Sequence, residues 1–441
     1  MQPLRVNCWE VKMEHIFRGR VITESELDHY LLQLDDTING DLLLPPLDSE
    51  IVINAIWALV EQTDFLEFKQ QFIDIGLADW KAESFIQSIK KSLTPTALHQ
   101  KIVRELGEDF YKWVDVEPGI QERQQPLGVL FHIGAGNVVA LSVLSVIEGL
   151  LTGNINVLKL PSYEGGISLA LLKRLVMIEP RLAPYIYVFD ISSEDIKTIE
   201  TLGNIADAIV VWGSDKAIHG IRQIAPAHLP IIQWGHRLSF AYLTPGQHLT
   251  SSLEQLAEEI CLSDQQFCSS PQCLFVETDD MQVIDACAKK LKEAMTEQAK
   301  KYPAAAILIN DQAEVTWTKE LVKMASLLGQ QKLIESDHKD FGIMVDAQPS
   351  LKASPLFRNI WLMPMKRSEL LSILRKHKGH LQTAGLACQE EAYEDLTNLF
   401  YKAGVTRVTT FGNMSQTYVG EPHDGKPTLL QYTRTISRNK N

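Results

Sequence analysis

The stretch GVLFHIGAGNVVAL, residues 128–141, gives the first indication of the fold. It runs from a short apolar segment through a turn with Gly134 and Gly136 into a second apolar segment. A strand, a glycine turn and a helix in this order are typical of the first unit of a dinucleotide-binding α/β domain. Val139 stands where the third glycine of that motif is expected, and Lys159 stands where an acidic residue is expected. The match to the motif is therefore partial.

The segments on either side of this turn extend the α/β pattern. Several short runs are apolar at every position, as expected for parallel strands that are covered by helices on both faces. The predicted strands of this first series are residues 128–133, 156–160, 186–189, 208–212 and 229–233. A second series begins near Phe240, with helices over 253–262 and 281–300 and strands over 273–277, 342–345, 360–363, 381–386 and 406–410. The sequence thus predicts two α/β domains.

We divide the chain into four regions. Residues 1–115 are predicted to be mainly helical, and 116–235, which contain the glycine turn, to form the dinucleotide-binding α/β domain. Residues 236–411 are predicted to form a catalytic α/β domain. The last segment, 412–441, has one predicted strand at 428–432 and is expected to pack on the cofactor domain or on a neighbouring subunit.

Composition narrows the classes of function. The 441 residues carry a net charge of −13, which opposes general binding to nucleic acid or to anionic membranes. The six cysteines form no CxxC pair, so neither a disulfide framework nor a metal site is predicted. No run of about 18 apolar residues occurs, so we expect no transmembrane segment and a cytoplasmic location.

The sequence before the glycine turn, QERQQPLGVLFHIGAGN at residues 121–137, resembles the corresponding segment of the aldehyde dehydrogenase superfamily. In that superfamily an asparagine amide, together with the backbone N–H of the nucleophile, stabilises the oxyanion. Asn137 occupies the matching place, although the Trp and Pro of the superfamily's PWN turn are absent. The alternative is that Asn137 only caps the following helix.

Two further segments resemble the cofactor-binding part of the same superfamily. Lys159 matches a lysine that holds the adenosine ribose, and Ser162 stands where an acidic residue would be. Loss of that carboxylate removes a repulsion against a ribose 2′-phosphate, which favours NADPH. Gly213 and Ser214 match a turn that faces the pyrophosphate. The alternatives are a surface lysine at a strand end and an ordinary Gly-Ser turn.

The predicted nucleophile is Cys268. It follows Gln266 and Phe267 in a break between a helix and a strand, where superfamily members commonly have GQxC. A thiolate can attack a carbonyl carbon and hold the acyl group covalently. Cys261 and Cys273, on a helix face and at a strand start, are predicted to be buried structural residues.

The departures from the superfamily pattern themselves resemble the LuxC-type fatty acyl-CoA reductases. Gln233 replaces the glutamate that activates water in hydrolytic members. The runs CSSPQ at 268–272, WGHRLSF at 234–240 and HDGKPTLLQYTR at 423–434 carry the resemblance, which spans residues 121–434. It implies an aldehyde dehydrogenase-like fold, with two Rossmann-like α/β domains and a small oligomerisation element. It also implies NADPH-dependent reduction of a long-chain fatty acyl-CoA or acyl-protein thioester to the aldehyde through an acyl group bound to Cys268, with an acyl-protein synthetase as partner and a homo-oligomer as the assembly.

Some roles stay open at this point. His423, next to Asp424, is a candidate proton donor, with a solvated histidine-carboxylate turn as the alternative. The rival enzymes are an oxidising aldehyde dehydrogenase and an acyl-phosphate reductase. A rival of another class is a catalytically idle acyl-binding subunit of an acyl-activating complex.

Overall fold

The computed structural model describes residues 13–74, 79–134, 141–161, 166–246, 249–304, 307 and 309–440. The chain forms two compact units. The first comprises Met1–Phe68, Gln87–Gly235 and Val419–Asn441, and the second comprises Lys69–Ile86 and His236–Tyr418. Among the described residues, no helix combines the length and the apolar composition that crossing a bilayer requires.

The strands and helices are numbered in chain order. The strands are β1 (Glu14–Phe17), β2 (Arg20–Thr23), β3 (Val114–Glu117), β4 (Ile120–Pro126), β5 (Val129–Ile133), β6 (Ile155–Lys159), β7 (Ile186–Phe189), β8 (Ala208–Trp212), β9 (Ile231–Trp234), β10 (Leu238–Leu243), β11 (Pro271–Val276), β12 (Gln331–Glu335), β13 (Gly342–Asp346), β14 (Asn359–Pro364), β15 (Leu381–Ala387), β16 (Arg407–Thr409) and β17 (Thr433–Asn439). The helices are α1 (Glu24–Asp41), α2 (Ser49–Gln62), α3 (Phe65–Asp74), α4 (Asp79–Ser92), α5 (Pro95–Leu106), α6 (Leu141–Leu151), α7 (Ile167–Ile178), α8 (Ile196–Asn204), α9 (Asp215–Ile224), α10 (Leu249–Ser263), α11 (Met281–Lys301), α12 (Ile309–Leu327), α13 (Arg367–Leu374), α14 (Glu390–Ala403) and α15 (Thr428–Gln431). Short 3-10 helices lie at Pro180–Tyr185, Arg375–His377 and Phe411–Asn413.

The first unit is built on a sheet with the strand order β2-β1-β7-β6-β5-β8-β9. The five strands from β7 to β9 are parallel. Strands β5, β6 and β7 are buried along their whole length, which accounts for their apolar sequences. The chain proceeds from β5 to β6 and β7 on one side and then to β8 and β9 on the other. The topological switch point therefore lies between β5 and β8.

An amino-terminal hairpin extends this sheet and was not predicted. Strands β1 and β2 pair around the turn at Arg18 and Gly19, both of which have positive φ, 50° and 78°. Positive φ at both central residues is the geometry of a tight hairpin turn. β1 then pairs antiparallel with β7, so that Ile16 lies opposite Val188. The amino-terminal region is thus mainly helical but also contributes two strands to the first unit.

The second unit has a sheet with the order β12-β13-β14-β11-β10-β15-β16. All neighbouring pairs are parallel except β12 with β13. The central strands β10, β11 and β14 are fully buried, and helices α10 and α11 pack on them through a cluster that includes Leu256, Ile260 and Leu291.

The predicted strand at 428–432 is wrong. Residues Thr428–Gln431 form the short helix α15, and the strand begins only at Thr433. The backbone N–H of Leu429 donates to the Glu105 carboxylate of α5 at 2.7 Å, so docking on α5 overrides the strand preference of the segment. β17 then pairs with β4, and β4 with β3, in a small antiparallel sheet.

Candidate functional site

Cys268 lies in the loop that joins α10 to β11 in the second unit, and its side chain is exposed. Ser239, at the start of β10, donates its hydroxyl hydrogen to the carbonyl oxygen of Cys268 at 2.7 Å. Gln382, near the start of β15, directs its amide Nε2 at the sulfur at 3.4 Å. Because β11, β10 and β15 are neighbours in the sheet, Cys268 lies at the amino ends of three adjacent parallel strands.

This arrangement suits a nucleophile. The thiolate is the reactive form of cysteine, and an amide N–H directed at the sulfur stabilises its negative charge. An exposed thiol on a loop that is held by a rigid sheet is open to a substrate while its position stays fixed. Cys268 therefore has both the accessibility and the polar support that covalent catalysis requires.

The loop before Cys268 is held by its own hydrogen bonds. Asp264 and Gln265 have positive φ of 47° and 59°, the conformation that the glycine of GQxC would adopt without strain. The Ser263 hydroxyl accepts from the backbone N–H of Gln265 at 3.1 Å, and the Ser270 hydroxyl accepts from that of Phe267 at 3.3 Å. The two hydroxyls lie 3.1 Å apart. Non-glycine residues thus take the left-handed turn because the surrounding bonds fix it.

The other described cysteines differ from Cys268. Cys261, Cys273 and Cys287 are buried, and burial raises the pKa of each thiol to about 12. Cys388 is half-buried, and burial raises its pKa as well. The position of Cys261 and Cys273 in the core agrees with a structural role. Among the described residues, no group of three or more His, Cys, Asp and Glu side chains is arranged to hold a metal ion.

The first unit collects the predicted cofactor residues at one edge of its sheet. Gly134 follows β5, Lys159 ends β6, and Gly213 and Ser214 follow β8. These positions are at the carboxyl ends of neighbouring parallel strands, on both sides of the switch point between β5 and β8. Dinucleotides bind at this place in open α/β sheets.

The turn after β5 requires glycine at its first position. A Cβ on Gly134 would overlap the Ser142 hydroxyl and lie 2.9 Å from Cδ of Pro161. The Gly134 N–H donates to the carbonyl oxygen of Lys159 at 3.2 Å, which joins the ends of β5 and β6. A glycine therefore brings the backbone of this turn close to the next strand.

Lys159 is not a surface lysine. It is 2 % exposed, and its ammonium donates to the carbonyl oxygen of Leu160 at 2.9 Å. Burial lowers the pKa of Lys159, while the Asp190 carboxylate after β7 opposes that effect. A buried ammonium at the carboxyl edge is a strong donor for a hydroxyl or phosphate oxygen because little water competes there.

Ser214 directly precedes helix α9. Its hydroxyl accepts from the backbone N–H of Ala217 at 3.3 Å, and so caps the helix. The Gly213 N–H donates to the carbonyl oxygen of Trp234 at 3.2 Å, which ties the turn to the end of β9. The amino end of α9 lies at the carboxyl edge, where its positive dipole end favours an anion.

His423 packs against two tryptophans at the same edge. Its ring centroid lies 5.0 Å from that of Trp212 and 4.7 Å from that of Trp234. Nε2 of His423 lies 3.8 Å from the carboxylate of Asp424, whose side chain is only 4 % exposed. Asp424 and Gly425 both have positive φ, so HDGK forms a tight turn. The Asp424 carboxylate is thus almost inaccessible, while the His423 side chain is 37 % exposed.

Two predicted site residues, Asn137 and Ser162, lie outside the described residues. The predicted residues that are described fall into two groups. Lys159, Gly213, Ser214 and His423 belong to the first unit, and Cys268 belongs to the second.

A family model for acyl-CoA reductase (LuxC) matches residues 57–435. The chain belongs to the LuxC family of acyl-CoA reductases. The predicted family and the predicted type of enzyme, an aldehyde-forming acyl-CoA reductase, are confirmed. A long-chain acyl-protein thioester reductase of Aliivibrio fischeri is 24 % identical over 98 % of this chain and 89 % of its own.

Solved aldehyde dehydrogenases share the fold of this LuxC family member. The methylmalonate-semialdehyde dehydrogenase of Oceanimonas doudoroffii superposes with a TM-score of 0.73 at 14 % identity, covering 98 % of both chains. The NADP-dependent glyceraldehyde-3-phosphate dehydrogenase of Bacillus halodurans, solved with NADP, gives 0.71 at 15 % identity and covers 97 % of this chain and 99 % of its own. The predicted aldehyde dehydrogenase-like fold is therefore confirmed.

Sequence reasoning missed several residues that contact the predicted site residues within each unit. Gln382 and Ser239 contact Cys268, although 114 and 29 residues separate them from it in the sequence. Trp212 and Trp234 contact His423. The two tryptophans carried a local sequence signal, since Trp212 ends the predicted strand 208–212 and Trp234 directly follows the predicted strand 229–233.

Proposed function

We propose that this LuxC family member reduces a long-chain fatty acyl-CoA or acyl-protein thioester to the fatty aldehyde with NADPH, through an acyl group bound to Cys268. The observation that supports it most is the exposed Cys268 thiol, with the Gln382 amide directed at its sulfur. The proposal also agrees with the name of the A. fischeri relative, a long-chain acyl-protein thioester reductase.

In the acylation step the Cys268 thiolate attacks the carbonyl carbon of the substrate. A carbon–sulfur bond to Cys268 forms, the bond to the donor's sulfur breaks, and the donor leaves as a thiolate that takes up a proton. The backbone N–H of Cys268 and the side-chain amide of Asn137 hold the oxyanion in this proposal. Gln382 stabilises the sulfur before attack and after release.

In the reduction step the acyl group on Cys268 gains two electrons and one proton and leaves as an aldehyde. The carbon–sulfur bond breaks and the Cys268 thiolate is restored. NADPH, when bound, supplies the hydride. Lys159, Ser162, Gly213 and Ser214 hold the cofactor, and Ser162 in place of an acidic residue favours NADPH over NADH. In this proposal His423 gives a proton to the oxyanion formed on hydride addition and takes it back as the carbon–sulfur bond breaks, so that no net proton is consumed beyond the hydride.

A glutamine at position 233 favours reduction of the acyl-cysteine over its hydrolysis. Gln233 accepts a hydrogen bond from Nη2 of Arg222 at 2.7 Å, and an amide cannot serve as a general base for water. The acyl thioester on Cys268 therefore survives until it is reduced. This argues against the rival function of an oxidising aldehyde dehydrogenase, which needs a base at this step.

The acyl donor and the partners are also part of the proposal. The chain takes its acyl group either from coenzyme A or from an acyl-protein synthetase, and it works as a homo-oligomer. The catalytically idle subunit remains the rival of another class, and it predicts acylation of Cys268 without oxidation of NADPH.

The test incubates the purified chain with a series of acyl-CoAs and with NADPH or NADH. Oxidation of the cofactor, aldehyde formation and the acyl adduct on Cys268 are measured. We expect turnover with long chains and NADPH and its loss in Cys268→Ala, while Cys388→Ala, at a half-buried thiol, keeps activity. Turnover that persists in Cys268→Ala would overturn the mechanism.

A further inference from the structure

A buried ionic network lies next to the loop of the nucleophile. The Asp264 carboxylate, four residues before Cys268, accepts hydrogen bonds from the Lys81 ammonium and from Nε of Arg358. All three side chains are almost inaccessible, with exposures of 3 %, 9 % and 1 %. We call Lys81, Asp264 and Arg358 the loop triad.

The loop triad joins three distant parts of the second unit. Lys81 lies on α4, within the segment Lys69–Ile86 that belongs to the second unit although it is far from the rest in sequence. Asp264 follows α10, and Arg358 precedes β14. The triad therefore fixes the end of α10 against two other segments.

Backbone contacts reinforce this attachment. Nη2 of Arg358 donates to the carbonyl oxygen of Cys261 at 3.1 Å, which satisfies a carbonyl at the carboxyl end of α10. The Phe357 N–H donates to the carbonyl oxygen of Asp264 at 2.9 Å. Residues 356–358 all have positive φ, as do Asp264 and Gln265. Two strained segments thus hold each other.

The positive-φ segments and the buried charges of the loop triad both lower the stability of the fold. Two cations face one carboxylate, and burial lowers the pKa of Lys81 while Asp264 opposes that effect. Buried ion pairs are often no more stabilising than apolar side chains of the same volume, so stability alone does not account for the triad. Strained backbone persists where the surrounding structure fixes it, commonly at functional sites.

We propose that Lys81 and Arg358 are positioning residues, which hold Asp264 and thereby fix the loop that places the Cys268 sulfur beside Gln382. In this proposal α4, through Lys81, contributes to catalysis without touching the substrate. This inference rests on the proposed function for its kinetic consequence, but its structural consequence can be tested without any activity.

The test compares Lys81→Met with Lys319→Met. Lys319 is a matched control because its side chain is also 9 % exposed and it pairs with Glu335 at 3.3 Å, on α12 and β12. We expect Lys81→Met to lower kcat at least about tenfold with KM changed less than about twofold, because misplacing a reacting atom mainly slows the chemical step. Lys81→Arg should recover most of the loss, and Lys319→Met should keep the wild-type kcat.

Hydrogen exchange provides the second measurement. In folded Lys81→Met the backbone amides of residues 263–270 should exchange at least about tenfold faster, while the strands of the second unit keep their protection. If Lys81→Met folds and leaves this exchange unchanged, the inference is overturned, as it also is by a wild-type kcat. If the wild type reduces no acyl thioester, the proposed function fails, and the exchange comparison still decides the inference.

Discussion

The Ser239 hydroxyl connects the Cys268 carbonyl oxygen to the neighbouring strand. It donates to that oxygen at 2.7 Å and accepts from the backbone N–H of Thr383 at 3.1 Å. Thr383 follows Gln382, whose amide faces the Cys268 sulfur. One buried hydroxyl therefore links the loop that carries Cys268, the proposed nucleophile, to the strand that carries Gln382.

Replacing Ser239 with alanine should weaken both stability and turnover. The change leaves the buried Thr383 N–H and the Cys268 carbonyl without this partner, which costs about 1–3 kcal/mol. We expect kcat to fall about tenfold, measured beside the free energy of unfolding in urea. Ser372→Ala, at an exposed helical serine, is the control. A wild-type kcat in folded Ser239→Ala would show that the hydroxyl does not position the loop.

The stability of the chain should fall in mild acid because of His132. Burial lowers the pKa of His132 from 6.5 to about 4. Below pH 6.5 the unfolded chain binds a proton at this residue while the folded chain does not, so unfolding is favoured as the pH falls. The free energy of unfolding is not affected by this residue above pH 6.5. It decreases progressively as the pH falls from 6.5 to 4, by about 3 kcal/mol in all.

Unfolding in urea at pH 7.5 and at pH 4.5 checks this expectation. His132→Gln has no titratable group at this position, so its stability should fall less between the two pH values than that of the wild type. Equal losses in the two proteins would contradict the assignment. In His132 the Nε2–H donates to Oδ1 of Asn156 at 3.0 Å, and Nδ1 lies 2.8 Å from the Ser145 hydroxyl. The Asn156 bond raises the pKa, but the effect of burial is larger.

The sheets were predictable where the sequence signal is local. Residues 186–189 and 208–212 were predicted as strands from continuous apolar runs, and β7 and β8 have these bounds because both strands are buried. The hairpin of β1 and β2 was missed because its place depends on pairing with β7, about 170 residues later. α15 was missed because its docking on α5 is likewise a long-range contact.

The residues of the candidate site were likewise predictable only where the signal is local. Cys268 was predicted from the break between a helix and a strand in its own segment. Gln382 and Lys81 could not be predicted, because they contact the loop that carries Cys268 only through the order of the strands and the packing of α4. An isolated Gln or Lys carries no sequence signal for a partner more than a hundred residues away.

Replacing His423 with glutamine should separate acylation from reduction. Loss of a general acid typically costs about 10²–10⁴-fold, so aldehyde formation should slow about 100-fold while acylation of Cys268 continues. The acyl adduct should then accumulate and be visible by intact-protein mass spectrometry. His219→Gln, at an exposed histidine of α9, is the control. A wild-type rate of aldehyde release in His423→Gln would assign the proton to another donor.

Gln233 should decide whether the acyl group is reduced or hydrolysed. In the wild type, Nη2 of Arg222 lies 2.7 Å from Oε1 of Gln233. In Gln233→Glu this guanidinium should pair with the new carboxylate, so the carboxylate does not activate water and aldehyde remains the main product. When Arg222→Ala is added, the carboxylate loses this partner and can activate water, so fatty acid should become the main product. Gas chromatography of the products measures the ratio, with Gln223→Glu on the exposed face of α9 as the control. If the double variant gives aldehyde alone, position 233 does not act on the acyl group, and the resistance of the thioester to hydrolysis has another cause.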